Sequence, residues 1–418
     1  MSVTLRLKSE NWLLLGGYDT QFHEDDPLRT QSLKGLWRYW LRAYISGVMY
    51  EAGKLECKRG EKYVCESETK EICEKTGEIL GSLKSASKFR IIVNRAFLEK
   101  KERIDLRGKE KEAFPQRIRL LSLGRKETQI SYGKGLSAEI KIEKAPHVKS
   151  ISENEKKLAL GSLLTALSLN GLGKGGRRGL GTFSVEVDGF EGKFLRGKKI
   201  DYSMIRELIN ETLESARSYL NLTIGKISEM PPVDCISKIR IDLSEIDGSV
   251  GLFNKKEVPV FTIIRAKPKD KKMEDIITEL QDFFYRPRRS GKMGFGIASA
   301  DESQDVITRE RLAWFLGLPR EQRGEGYISD IIRRASPIHL AVHKEEALFT
   351  FFLSGDWPTE IKWRRLLDKK KKRRDHIKIE ERLLRIDSRI VKEAYLSSIS
   401  SLENYLSRLG YEYEVIYP

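Results

Sequence analysis

Cysteine is scarce in this 418-residue chain, with four residues, Cys57, Cys65, Cys73 and Cys235. So few cysteines exclude a disulfide-built scaffold, and the first three lack the C-x-x-C spacing of a structural zinc site, so they read as free thiols. Histidine is nearly as rare, at five, which leaves little material for acid–base chemistry. No apolar run is long enough to span a bilayer, and the N-terminus lacks the arrangement of a secretory signal, so a cytoplasmic protein is expected. The phosphate loop G-x-x-x-x-G-K-[ST] is absent, as are the companion motifs of a kinase. Acidic residues are the minority, 61 against 77 Lys and Arg, for a net charge of +16. That excess favours an anionic partner. A membrane surface would require a basic amphipathic helix with large exposed apolar residues, and the chain has none, which leaves nucleic acid. The charged fraction of 33%, rich in Lys, Arg and Glu, is a thermophile-like composition.

The chain is longer than one core usually serves, so two domains are expected, residues 1–200 and 201–418. In the first, Val3, Leu5 and Leu7 alternate with polar residues as a half-buried strand. An acidic turn follows, and then Leu33, Leu36, Trp37, Trp40, Leu41, Tyr44, Ile45 and Val48 mark an amphipathic helix. Lys34, Arg38 and Arg42 form a stripe along that helix, with Arg29 just before it. Residues 54–80 are polar and aperiodic and read as a surface insertion with little structure of its own. Strand patterns recur at Phe89–Val93 and Ala138–Ile142, with a protruding hairpin expected over Arg117–Tyr132. A capping box at Ser152–Glu155 opens a second helix, and Phe183, Val185 and Val187 make a fourth strand. Strand, helix, strand, strand, helix, strand is the ferredoxin-like order that RNA-recognition modules use. The aromatic pattern of their base-stacking strands is not recognisable here.

Between the second helix and the fourth strand lies Gly171-Leu-Gly-Lys-Gly-Gly-Arg-Arg-Gly-Leu-Gly181. Glycines let backbone amides approach a phosphate, and Lys174, Arg177 and Arg178 supply charge, so this is either a polyanion-binding loop or a plain helix-to-strand turn. The dinucleotide fingerprint is excluded because it must follow a strand and open a helix. In the second half a strand is expected at Ile239–Leu243, a helix over Met273–Phe284, a hairpin of Ile338–Val342 with Leu348–Leu353, and a terminal helix closed by Gly410. The helix over 273–284 runs into Arg288-Arg-Ser-Gly-Lys-Met-Gly-Phe-Gly296, the same device again, with Arg288, Arg289 and Lys292 as its cations. That recurrence points to a tandem duplication: an α+β protein of two ferredoxin-like domains with glycine-rich loops and a basic C-terminal helical region. Trp363–Arg365 and Lys369–Arg374 form the densest basic cluster, read first as a solvated loop and second as a nucleic-acid contact.

The segment Leu28-Arg-Thr-Gln-Ser-Leu-Lys-Gly-Leu-Trp-Arg-Tyr-Trp-Leu-Arg42 resembles the signature helix of the RAMP superfamily of CRISPR proteins, in particular the large head subunits of type III-B Cmr effector complexes. The two glycine loops, Phe315-Leu-Gly-Leu-Pro319 and Arg333-Arg-Ala-Ser-Pro337 agree with that resemblance. It implies a subunit that helps hold guide RNA and target RNA near the 3′ end of the guide, among the other subunits of the Cmr complex. It also implies that other subunits do the cutting; no catalytic residue, cofactor or metal is expected in this chain. RAMP relatives that process CRISPR transcripts by acid–base histidine catalysis are the alternative, with His23 the best placed of the five. His339 and His343 read as packing or surface residues. Asp19, Glu24, Asp25 and Asp26 read as a solvated turn rather than a metal site. The expected RNA groove joins Arg29, Lys34, Arg38 and Arg42 of the helix to Lys174, Arg177 and Arg178 of the loop, and Arg38 is the residue most open to a bracing role.

Overall fold

The computed structural model describes residues 2–15, 27–66, 69–105, 115, 118, 129–227, 229–246, 251–253, 257–284, 312–322, 325–330, 333–344, 346–366 and 379–418. The first sheet takes β1 (Ser2–Ser9), β2 (Phe89–Asp105), β3 (Gln129–Lys144), β4 (Phe183–Asp188), β5 (Leu195–Arg196) and β6 (Lys199–Ile200), in the order β2-β3-β1-β4-β6-β5. Alternation sets the register of β1. Leu5 and Leu7 face Ile140 and Ala138 of β3 on one side and Val187 and Val185 of β4 on the other, all antiparallel. A slip of one residue would carry Arg6 and Lys8 into the core, so the register is strongly specified.

Helices α1 (Thr30–Glu51), α2 (Thr69–Leu80) and α3 (Glu153–Leu169) belong to the same half. The Ser152 hydroxyl accepts from the Glu155 amide and the Glu155 carboxylate accepts from the Ser152 amide, so the expected capping box is formed. Small residues on α3 let α1 come close. Trp37 Nε1 donates to the Ala159 carbonyl at 2.7 Å, and the hydroxyls of Tyr44 and Thr165 lie 2.7 Å apart. On its other side α3 meets α4 (Ile205–Leu220), where a Cβ on Gly161 would stand 2.1 Å from Thr212 Oγ1.

The second half repeats the arrangement. Its main sheet combines β9 (Phe261–Lys267), β12 (Ile338–Val342), β13 (Ala347–Phe352) and β16 (Glu412–Tyr417) in the order β12-β13-β9-β16. Helix α5 (Met273–Asp282) follows the first of these strands and α6 (Ser388–Leu409) the third. Ranked along the chain, the strands of this sheet and the four long strands of the first sheet have the same spatial order: second, third, first, fourth. Two smaller sheets complete the half. They are the pair β7 (Arg240–Asp242) with β8 (Glu257–Pro259), and the set β10 (Arg320–Gln322), β11 (Glu325–Ile328), β14 (Glu360–Leu366) and β15 (Ile379–Arg385).

Several expectations change. Residues 54–80 are not structureless: α2 buries Ile72, Thr76, Ile79 and Leu80, and the Val64 and Cys65 amides donate to the Trp357 and Gly355 carbonyls. The insertion is therefore a strap onto the second half. Cys57 and Cys65 are not free thiols but a disulfide pair with Cα atoms 4.6 Å apart, because the antiparallel bridge between Lys58 and Glu66 folds the segment back on itself. Only Cys73 and Cys235 are free among the described residues, and burial pushes the Cys235 thiol well up, which leaves it unreactive. Trp363–Arg365 is strand, not loop, with Trp363 opposite Arg382. The strand at Ile239–Leu243 forms only as the short β7, while β9, buried along nearly its whole length, shows no alternation and opens the sheet instead. The described C-terminus is one helix followed by β16 rather than a purely helical region. His23, Asp19, Glu24, Asp25, Asp26, the loop with Arg288, Arg289 and Lys292, the tip of the hairpin in 117–132, and Lys369–Arg374 lie outside the described residues.

Candidate nucleic-acid interface

The glycine loop leaves α3 at Asn170 and folds back on itself. Its amides are largely spent within the chain: Gly171 donates to Gly176 O, Leu172 to Gly181 O, Lys174 to Leu14 O, Arg178 to Gly175 O and Gly179 to Leu340 O. These amides are spent within the fold and are not open to a phosphate. Glycine is required for closeness. A Cβ on Gly171 would sit 1.8 Å from Leu180 O, and Gly173, at φ +91, would press one to 2.6 Å from Leu14 O. The loop also caps the edge of the second sheet. Leu340 of β12 donates back to Arg177 O at 3.1 Å, giving a parallel bridge between the halves of the molecule.

What the loop does present is side chains and a cleft. A cavity of about 390 Å³ opens between the loop and the start of α1, lined by Ser32, Gly35, Leu36 and Tyr39 from the helix and by Asn170, Lys174 and Arg177 from the loop. Positions 32, 35, 36 and 39 form one helix face, with the spacing that puts side chains in a row. The Arg177 guanidinium carbon lies 4.6 Å from the centre of the Tyr39 ring, so a cation stands over an aromatic face at the cleft wall. Asn170 closes the inner end. Its Oδ1 accepts from Trp40 Nε1 at 2.9 Å and faces His339 Nδ1 at 3.2 Å.

The expected cations divide. Lys174 and Arg177 line the cleft. Arg178 does not: its guanidinium donates to the Ile338 carbonyl at 2.7 Å and lies 4.0 Å from the centre of Phe284, bracing the two halves together. Arg38 also braces, but against α2, donating to the Leu80 and Gly81 carbonyls at 2.7 Å each and capping the helix C-terminus. Lys34, Arg38 and Arg42 belong to a stripe turned roughly 110° from the cleft face at 100° per residue, so the structure does not bring them into the groove. Arg42 is exposed, and Lys34 is half-buried, with a pKa lowered by burial and by Arg38. Arg29 is the residue before α1, and its carbonyl accepts from Ser32 and Leu33. Tyr39, Gly35 and Asn170 were missed from sequence, although the 32-35-36-39 spacing beside a mid-helix glycine was there to be read.

Beneath Tyr39 lies a buried charge cluster. The Tyr39 hydroxyl donates to Asp234 Oδ2 at 3.0 Å, and Arg334 Nη2 donates to Asp234 Oδ1 at 2.8 Å and to Ser354 Oγ at 2.7 Å. The same nitrogen stands 2.9 Å from Asp356 Oδ1, close enough for an ion pair although the geometry is not that of a hydrogen bond. Burial raises both carboxyls. At Asp234 burial is the largest influence, but the charge and hydrogen bond of Arg334, the Ser354 hydroxyl and the charge of Arg177 together outweigh it and the net pKa is lowered, whereas at Asp356 burial and the neighbouring Asp234 prevail and the pKa is raised.

Residues 14–184 match the model of the RAMP superfamily. No curated protein sequence matches the chain. The crystal structure of apo Cmr1 from Pyrococcus furiosus is similar at a TM-score of 0.55 and 18% identity, over 100% of this chain and 99% of that one. A chain of the type III-B Cmr-beta complex bound to cognate target RNA, solved by cryo-EM, aligns at a TM-score of 0.48 and 13% identity, over 97% of this chain and 99% of that one. The stretch holding α1, the glycine loop and the cleft between them thus matches the RAMP superfamily, and the chain shares its fold with Cmr1 from end to end.

Proposed function

We propose that the chain is an RNA-binding subunit of a type III-B CRISPR effector complex, one that helps hold guide and target RNA near the 3′ end of the guide in the cleft between α1 and the glycine loop. The two sheets of equal strand order are, on this reading, tandem ferredoxin-like domains. The other Cmr subunits are its partners and the cytoplasm its location. The observation that carries the reading is the cleft: a cation over an aromatic ring, a lysine beside it, and a glycine-lined helix face opposite suit a phosphate backbone and a stacked base. Base pairing would read the sequence while the protein supplies charge and shape. Binding is therefore expected to tolerate sequence and to weaken steeply with salt.

The chain is proposed to bind RNA and not to cut it. His339 and His343 are buried at 0% and 1% exposure, and both spend ring nitrogens on their own chain. The test is anisotropy with a labelled single-stranded RNA. Lys174→Glu with Arg177→Glu should lower affinity by at least about ten-fold, as expected when phosphate contacts are lost, with the melting temperature close to the parent's. Parent-like binding by the double variant overturns the cleft reading. Cleavage of the RNA by the purified chain, abolished by His23→Ala, overturns the non-catalytic part.

A further inference from the structure

We infer that Arg334, in the second half of the chain, is a positioning residue for the RNA cleft, acting through Asp234 and Tyr39 on Arg177; this rests on the cleft reading above. Arg334 is not among the residues that line the cleft. Its backbone pairs with Leu318 in both directions, at 2.8 and 3.0 Å, so the 315–319 and 333–337 segments form one bracket. From that bracket the guanidinium reaches a pocket where it is 6% exposed, with its carbon 5.0 Å from the centre of the Trp357 ring. The Asp234 carboxylate takes three donors, Arg334 and the Ser354 hydroxyl on one oxygen and the Tyr39 hydroxyl on the other. Tyr39 in turn offers its ring to Arg177.

A buried arginine with a carboxylate is a poor source of net stability, because both charges lose their hydration, and such a pair is better explained by what it orients. Here the oriented group is a tyrosine that sends its hydroxyl inward to Asp234 and its face to the cleft cation. Trp40, His339 and Phe352 surround that ring at centroid distances of 5.9, 5.6 and 6.3 Å. They confine it sideways, and the hydroxyl bond sets its depth and tilt. The chain Arg334, Asp234, Tyr39, Arg177 thus transmits the seating of the second half to the RNA-facing cation.

A double-mutant cycle on the full-length protein tests this, with RNA affinity read by anisotropy and folding checked by melting temperature. Tyr39→Phe deletes one oxygen and keeps the ring; it should weaken binding about five- to ten-fold, the scale of the net contribution of one ordinary hydrogen bond. In an Arg177→Ala background, already weakened, the same change should cost less than about two-fold, because contacting residues in one network couple. Arg334→Lys, which keeps the charge but loses the fork, should match the Tyr39→Phe loss, and Asp234→Asn takes its place if that protein does not fold; parent-like binding by the folded variant overturns the role of Arg334. Equal losses from Tyr39→Phe in both backgrounds, or none in the parent, overturn the positioning role while leaving the cleft reading intact. Parent-like binding by Arg177→Ala overturns the cleft reading and this inference together.

Discussion

The guanidinium of Arg177 lies over the ring of Tyr39, 4.6 Å from its centre, and this contact joins the glycine loop to the signature helix. Arg178, one residue on, turns the opposite way to the Ile338 carbonyl and the face of Phe284. Two adjacent arginines therefore have separable roles, one facing the cleft and one holding the halves together. Arg178→Met is expected to lower stability by about 1.5–3 kcal/mol, the range for a hydrogen bond to a charged group, and to leave RNA affinity within about two-fold of the parent. Urea unfolding and anisotropy on the same preparation check it; a stable variant that no longer binds RNA would place Arg178 in the site.

Two glycines of α1 predict opposite outcomes for one substitution. A Cβ on Gly47 would stand 1.7 Å from Ile236 O, a backbone atom that cannot step aside. Gly47→Ala should destabilise by about 1–3 kcal/mol, as overpacking does. At Gly35 a Cβ would meet nothing within 4 Å, so Gly35→Ala should stabilise by roughly 0.5–1 kcal/mol through helix propensity. Denaturant midpoints of the pair decide.

A glycine that weakens its helix with no packing need, and lines the cleft, points to clearance for a ligand. Gly35→Leu should fold at least as well as the parent and bind RNA several-fold less tightly, read by melting temperature and anisotropy. Unchanged affinity would mean that RNA does not approach this face of α1.

Stability should depend on pH through His339. Burial, and then the charges of Arg177, Arg178 and Arg334, hold its imidazole well below the ordinary range, so it is neutral in the fold. The unfolded chain binds the proton more readily. The stability from keeping His339 neutral is thus complete above the unfolded value near 6.5 and is lost as pH falls below it, at up to about 1.4 kcal/mol per pH unit. Unfolding free energies at pH 7, 6 and 5 should show a shallower acid slope in His339→Asn than in the parent. Equal slopes would assign the loss to other groups.

Most elements legible in the sequence have one wet face. Val3–Leu7, Ala138–Ile142 and α1 as far as Arg42 show their period because polar residues alternate with the core, whereas α3 is buried all round over Leu158–Leu169 and was marked by its capping box. Strand β9 carries no such contrast, since Phe261–Ile264 is buried on both faces, and β16 follows a glycine-capped helix end that reads as a stop. Pairings across long separations were illegible for a different reason. Nothing local in Cys57 and Cys65 announces that the strap around them docks on Gly355, and nothing in Arg334 announces Asp234. Within the cleft, charge drew the eye to Lys34, Arg38 and Arg42, whereas the face that meets the loop is marked by what it lacks, a side chain at position 35.

The most direct test of the central claim is ultraviolet crosslinking of the full-length protein to a single-stranded RNA, with the linked peptides identified by mass spectrometry. The account predicts adducts on the peptide containing Tyr39 and on the peptides from 170 to 177, suppressed in Lys174→Glu/Arg177→Glu. Adducts confined to the basic segment 369–374 or to β14 and β15, with none on α1 or the glycine loop, would contradict it.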